Sequence, residues 1–139
     1  MMTKTRPFTR ALEQLNAAGL RPTRQRLALA KLLFDKGDCH LTAEQLHNAA
    51  RDAEVKISLA TVYNTLHQFK DVGIIREVVV EAGRSYFDTN VSAHHHFFNE
   101  TTSELSDVPH GFLSVDNLPT PPIGTSLESV DVILRIKQA

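Results

Sequence analysis

Between residues 23 and 73 the chain carries three helix starts in close succession, and their spacing commits this stretch to a tight helical unit. Thr23 precedes R-Q-R-L-A-L-A-K-L-L-F, Thr42 precedes A-E-Q-L-H-N-A-A, and Ser58 precedes L-A-T-V-Y-N-T-L-H-Q-F-K. A hydroxyl suits each position, because its oxygen accepts from a backbone N–H that the first helical turn leaves unpaired. Thr42 and Gln45 have the spacing of a capping box. Lys36-Gly37 and Gly73 follow the second and fourth segments as stop signals. An earlier helix is read from Phe8, Ala11, Leu12, Leu15 and Ala18, with Gly19 ending it.

The segment after Ser58 is the most informative. At ~100° per residue, Leu59, Val62, Leu66 and Phe69 gather on one side. Ala60, Tyr63, Asn64 and His67 fall on the other, flanked by Thr61 and Gln68. That polar face is rich in hydrogen-bonding groups and contains no acid. I-I-R-E-V-V-V and R-S-Y-F-D then read as two strands joined by the turn E-A-G. Three helices, an outward polar helix and a hairpin describe a winged helix-turn-helix, whose last helix enters the DNA major groove. A small helical bundle with a polar surface helix has the same periodicity, and the pattern alone does not separate the two.

Beyond Asn90 the texture changes. H-H-H-F-F-N and E-L-S-D-V are short strand candidates, L-P-T-P-P-I-G is a loop, and Val130, Val132, Leu134 and Ile136 alternate as one face of a last strand. This half has too little apolar material to stand alone, so pairing with a second copy across a two-fold axis is expected. The fold class expected is therefore α/β (α+β). Residues 1–88 form a winged-helix domain and residues 89–139 a small α/β dimerisation domain.

Charge divides the same way. Residues 1–88 carry 13 Lys and Arg against 10 Asp and Glu, while residues 89–139 carry 2 against 6. A basic front suits phosphate, and an acidic, histidine-bearing back suits cations. Cys39 is the single cysteine, which excludes an internal disulfide and a thiolate-built zinc site within one chain. No apolar run approaches the ~20 residues of a membrane span, and residues 1–10 lack the apolar core of a signal peptide. A cytoplasmic location with no membrane partner is expected. No nucleophile–base pair or phosphate loop is visible, so no enzymatic activity is expected.

His94, His95 and His96 stand in a row, far from either end. On a strand over 94–98, His94 and His96 share one face and His95 takes the other. Three ligands of one ion do not fit that alternation, whereas two neighbouring sites or a haem-facing pair do. Imidazole suits zinc, iron and other borderline ions, with carboxylates completing the set. The candidate partners are His40, Asp88, Glu100, Asp107 and Asp131. For His47, His67 and His110, which stand singly, a surface or packing role is expected, with His67 facing DNA.

The chain resembles the ferric uptake regulator (Fur) superfamily of metal-responsive regulators. The residues that carry the resemblance are G-L-R-P-T-R-Q-R (19–26), H-L-T-A-E-Q-L (40–46), I-S-L-A-T-V-Y-N-T-L (57–66) and R-S-Y-F-D (84–88). The stretch Y-F-D-T-N-V-S followed by H-H-H-F is most similar to the iron response regulator branch. The resemblance implies a homodimer that reads double-stranded DNA. Tyr63 would contact bases and Arg21 the minor groove, and the candidate DNA-binding set is Arg21, Thr23, Ser58, Ala60, Thr61, Tyr63 and Asn64. Many relatives have Arg where this chain has Asn64. Arg favours guanine and Asn adenine, so a different operator is expected.

The resemblance also implies two metal sites. One comprises His40, Asp88, His95 and Asp107, with Phe97 standing where a further histidine is usual. By the same comparison His40 and Asp88 lie near a hinge between the halves. The other comprises His94, His96 and Asp131. The structural Cys-x-x-Cys zinc site of many relatives is missing, since N-E-T-T-S-E occupies that stretch. The branch implies haem sensing at His94, His95 and His96. The Cys-Pro haem motif of some members is not present, because Cys39 is followed by His40. For Cys39, burial as a small apolar group is favoured over haem ligation.

The expected function is an iron- and haem-responsive transcriptional regulator, mainly a repressor. It would bind an A·T-rich inverted-repeat operator as a dimer and be released by haem, with a haem-delivering protein as a further partner. A repressor co-activated by iron, manganese or zinc, or a peroxide sensor, is the alternative within the class. A haem or metal carrier without DNA binding is the alternative outside it.

Overall fold

The computed structural model describes residues 9–35, 37–92 and 94–139. Phe8 of the first expected helix, Lys36 of the second stop signal and the first eight residues read for a signal peptide lie outside the described residues. One compact unit ends at Val91 and the other begins at Ser92. That division falls three residues beyond the one read from the sequence. Thr89 still belongs to the first unit, where its N–H donates to the Cys39 carbonyl (3.1 Å) and its Oγ1 accepts from the Cys39 N–H (2.9 Å).

The N-terminal unit contains α1 (Thr9–Ala17), α2 (Arg24–Phe34), β1 (His40–Leu41), α3 (Ala43–Asp52), α4 (Leu59–Asp71), β2 (Arg76–Glu81) and β3 (Arg84–Asp88). The capping signals act where they were read. Thr23 Oγ1 accepts from Arg26 N–H, Ser58 Oγ accepts from Thr61 N–H (3.1 Å), and Thr42 and Gln45 complete a reciprocal box at 3.1 and 2.9 Å. At the far end of α4, Gly73 takes φ +81° and lets Ile74 N–H reach back to the Phe69 carbonyl (3.1 Å). This is a Schellman closure, which a residue with a Cβ adopts only under strain.

Ala11, Leu15, Leu29, Leu33, Leu46, Val62, Leu66, Phe69, Ile75 and Phe87 form one buried cluster. Each fully buried Leu or Phe stabilises by about 1.5–3 kcal/mol, more than the ~1 kcal/mol of a cap. Packing therefore sets how each helix is rotated, and the cap sets where it starts. Leu12 departs from the expected inward stripe and is exposed.

The hairpin β2–β3 gains a third strand that the sequence reading missed. The sheet order is β1-β3-β2, with His40 opposite Asp88 and Leu41 opposite Phe87. Two residues are too short for periodicity to register. The C-terminal unit contains β4 (His96–Asn99), β5 (Glu104–Asp107) and β6 (Ile133–Ile136). β4 is central, antiparallel to β5 and parallel to β6. Phe98, Leu105 and Val108 are buried there, while Phe112, Ile123 and Leu127 of the connection 108–132 are exposed. The last strand is shorter than expected, and Ile136 of its anticipated apolar face is exposed.

Replacing Thr42 by Ala is expected to cost about 1 kcal/mol of stability, because Gln45 N–H loses its acceptor. Thr42→Ser, which keeps the hydroxyl, is expected to stay near wild type in the same urea titration.

Candidate functional site

In the N-terminal unit the inward and outward faces of α4 separate as its periodicity requires. Val62, Leu66 and Phe69 have at most 1% exposure, and Ala60, Tyr63, Asn64 and His67 are exposed. Ser58 and Thr61 share a hydroxyl–hydroxyl hydrogen bond (2.9 Å) at the start of the helix. Arg21 and Thr23 are exposed in the segment before α2. Arg26, which the sequence reading passed over, organises that segment. Its Nη1 donates to the Arg21 carbonyl (3.0 Å) and its Nε to Gln68 Oε1 of α4 (3.1 Å). One guanidinium thus ties the Arg21 backbone to the recognition-type helix. Such a planar fork suits two acceptors in fixed directions.

Glu44, in the first turn of α3, was also passed over. The Tyr63 hydroxyl donates to Glu44 Oε1 (2.7 Å). That bond is the main reason the Glu44 carboxyl lies below its ordinary pKa, and it also holds the Tyr63 phenol above its own. The signal lay in the helix-turn-helix itself, which packs the start of one helix against the next. At the other end of α4, Lys70 Nζ reaches Glu77 Oε1 of β2 (2.8 Å) and joins the helix to the hairpin.

Histidines and carboxylates converge in each unit separately. In the N-terminal unit, His40 Nε2 lies 3.2 Å from Asp88 Oδ2, and Asp88 is 1% exposed. Strand pairing places them, since His40 and Asp88 are register partners. The second Asp88 oxygen accepts from Asn90 N–H (2.8 Å). In the C-terminal unit, His94 Nε2 and His96 Nε2 lie 3.0 and 3.5 Å from the same Asp107 oxygen, and the two rings are 4.4 Å apart. His96 faces Asp107 across the β4–β5 ladder and is itself 1% exposed.

This arrangement differs from the grouping read from the sequence. His94 and His96 do lie together, but β4 begins only at His96, and Asp107 pairs with them rather than with His95. The His95 ring faces β6 instead, and its Nδ1 accepts from Val132 N–H (3.1 Å). Asp131 is exposed and takes a 3.5 Å contact from the Ser129 hydroxyl. Among the described residues it is outside the metal-type donor group to which His94, His96 and Asp107 belong. Cys39 is half-buried, with its thiol directed to the Leu33 carbonyl (3.6 Å).

Imidazole nitrogens and carboxylate oxygens are the donor set of borderline divalent ions such as zinc, iron and manganese. The donor atoms of His94, His96 and Asp107 lie within 4.8 Å of one another, close enough for one ion to take all three. His96 is buried and already oriented, so a cation would need little rearrangement there.

The two histidine roles separate experimentally. In a cobalt(II) absorption titration, His94→Ala and Asp107→Asn are each expected to weaken binding by roughly tenfold or more, on the scale of supporting-shell losses. His95→Ala is expected to leave cobalt affinity near wild type while costing about 1 kcal/mol of stability through the lost Val132 bond. A reversed pattern would restore the grouping read from the sequence.

Comparison with known proteins bears on the family and the fold. Residues 17–115 match the family model of the ferric uptake regulator family. Over 97 residues the chain is 35% identical to the peroxide-responsive repressor PerR of Staphylococcus aureus, a match covering 70% of this chain and 65% of that protein. The matched stretch thus spans just under two thirds of the relative's length. Among solved structures, the ferric uptake regulator of Vibrio cholerae, a protein with DNA-binding domains, aligns with a TM-score of 0.69 and 27% identity. That alignment covers 91% of this chain and 98% of the other. The ferric uptake regulator of Pseudomonas aeruginosa, solved with manganese, has the same fold at a TM-score of 0.68 and 22% identity, covering 92% and 97%. With the expected mixed helix-and-strand fold in place, and with a family match over most of its length, the chain belongs to the ferric uptake regulator family.

Proposed function

We propose that this protein is a cytoplasmic, metal-responsive transcriptional regulator that binds double-stranded DNA as a homodimer. The observation that carries the reading is the convergence of His94 and His96 on one oxygen of Asp107, with His96 buried. Buried titratable groups are retained at a cost, and a cation offsets that cost where imidazoles and a carboxylate meet. Its ligands would be His94, His96 and Asp107 of the C-terminal unit, and His40 with Asp88 forms a separate donor pair in the N-terminal unit. A divalent ion held there by His94, His96 and Asp107 would supply positive charge beside the Asp107 carboxylate and would fix the two imidazoles. Arg21, Thr23, Ser58, Ala60, Thr61, Tyr63 and Asn64 form the DNA-contacting set, with Arg26 bracing the Arg21 segment. Metal acts as corepressor only if the DNA-binding arrangement holds it more tightly than the free one does.

The test is fluorescence anisotropy of the full chain with an A·T-rich inverted-repeat duplex and a scrambled duplex at fixed salt. Manganese(II) is expected to raise affinity for the inverted repeat by about 5–150-fold, the usual range of allosteric coupling, and Asp107→Asn to abolish the rise. No salt-sensitive DNA binding at all would overturn the regulator reading. Binding that ignores metal would overturn the response.

The haem response is a second reading, favoured by the three consecutive histidines and by the resemblance to the iron response regulator branch. It requires the imidazoles of His94 and His96 to leave Asp107, and a haem-delivering partner would be its source. Under that reading stoichiometric haem releases the duplex and His94→Ala with His96→Ala blunts the release. Under simple metal corepression haem leaves the duplex bound. The name of the Staphylococcus relative adds peroxide sensing within the same class. Hydrogen peroxide then releases DNA from the iron(II)-loaded protein but not from the manganese(II)-loaded one.

A further inference from the structure

Glu44 is an acid bonded to the outward face of α4, where Ala60, Tyr63, Asn64 and His67 contribute no carboxylate. Its neighbour explains why it is tolerated there. The Tyr63 hydroxyl and Glu44 Oε1 lie 2.7 Å apart, within the range of an O–H···O bond to a charged acceptor. A carboxylate has no proton to give, so the phenol is the donor. Glu44 stays ionised for two reasons. Tyr63 donates to it, and it sits in the first turn of α3, where unpaired N–H groups favour negative charge.

A phenol has one hydrogen and two lone pairs. With the hydrogen committed to Glu44, the outward side of Tyr63 can only accept. Tyr63 remains 36% exposed as a residue. In the major groove the donors are adenine N6 and cytosine N4, whereas guanine and thymine present acceptors at the corresponding edge. We infer that Glu44 is a specificity-determining residue: by holding the Tyr63 hydrogen it makes Tyr63 read a base amino group, adenine or cytosine, and reject guanine or thymine. Glu44 does this as a positioning residue, without touching the base. The inference rests on the DNA-binding reading above and adds to it a rule for one operator position.

The test is selection from a pool of randomised DNA duplexes by the full chain in manganese(II), comparing wild type with Tyr63→Phe, Glu44→Ala, Glu44→Gln and the Tyr63→Phe/Glu44→Ala double variant. Wild type is expected to enrich a motif with one position held to adenine or cytosine by about fivefold or more, the lower end of a base contact. Tyr63→Phe is expected to lose the preference at that position alone. Glu44→Ala is expected to admit guanine or thymine there, because the freed hydroxyl can now donate. Glu44→Gln, whose amide oxygen still accepts from the phenol, is expected to keep the wild-type preference. The double variant is expected to match Tyr63→Phe.

A position lost with Tyr63→Phe but held to guanine or thymine in wild type would overturn the inference. So would a preference that survives Glu44→Ala, or a motif unchanged by Tyr63→Phe. A wild-type pool with no enriched motif would overturn the regulator reading itself, and this inference with it. Glu44 is exposed, and circular dichroism of each variant confirms that a changed motif is not a lost fold.

Discussion

Val62, Leu66 and Phe69 are buried to within 1% of completely, and that burial fixes the rotation of α4 about its own axis. Turning the helix by one residue would expose an apolar side chain and bury a polar one, at a cost of several kcal/mol. Tyr63, Asn64 and His67 therefore face outward whatever their own interactions. Their partners act on an orientation that is already set. Glu44 takes the Tyr63 hydrogen, Gln68 receives Arg26, and Lys70 meets Glu77. The core selects which groups meet a ligand, and the surface bonds adjust how they meet it.

Asp88 and His96 follow a different logic. Each is 1% exposed, and neither is cheap to bury. Asp88 is compensated by Asn90 N–H on one oxygen and His40 on the other, and His96 by Asp107. Strand register positions both pairs: β1 against β3 places His40 beside Asp88, and β4 against β5 places His96 beside Asp107. Neighbouring strands thus do for these donor groups what the helical period does for the exposed face of α4. The ladder brings together residues that lie 48 apart in the N-terminal unit and 11 apart in the C-terminal one.

The local features were largely legible in the sequence because their signals are local. Thr23, Thr42, Ser58 and Gly73 mark their helix ends by chemistry within a few residues, and Leu59, Val62, Leu66 and Phe69 declare a face by spacing. Pairing across distance was harder to read. Alternation put His94 with His96 but could not say that Asp107 lies opposite His96, since register is a relation between strands. β1 escaped because two residues carry no period. Arg26 and Glu44 escaped because each takes its meaning from a partner on another helix, Gln68 and Tyr63. Asp131 and His95 were assigned from resemblance; the contacts they make, with Ser129 and with Val132 N–H, depend on side-chain direction at the ends of short strands, which the sequence does not display.

Coupling between metal and DNA is the central claim, and thermodynamics makes it reciprocal: the factor by which metal tightens DNA must equal the factor by which DNA tightens metal. Isothermal titration of manganese(II) into the full chain, alone and pre-bound to its selected duplex, tests this most directly. The account predicts that metal binds more tightly to the DNA-bound protein, by the same factor found when DNA affinity is measured with and without metal. Equal manganese affinity in the presence and absence of the duplex would contradict it.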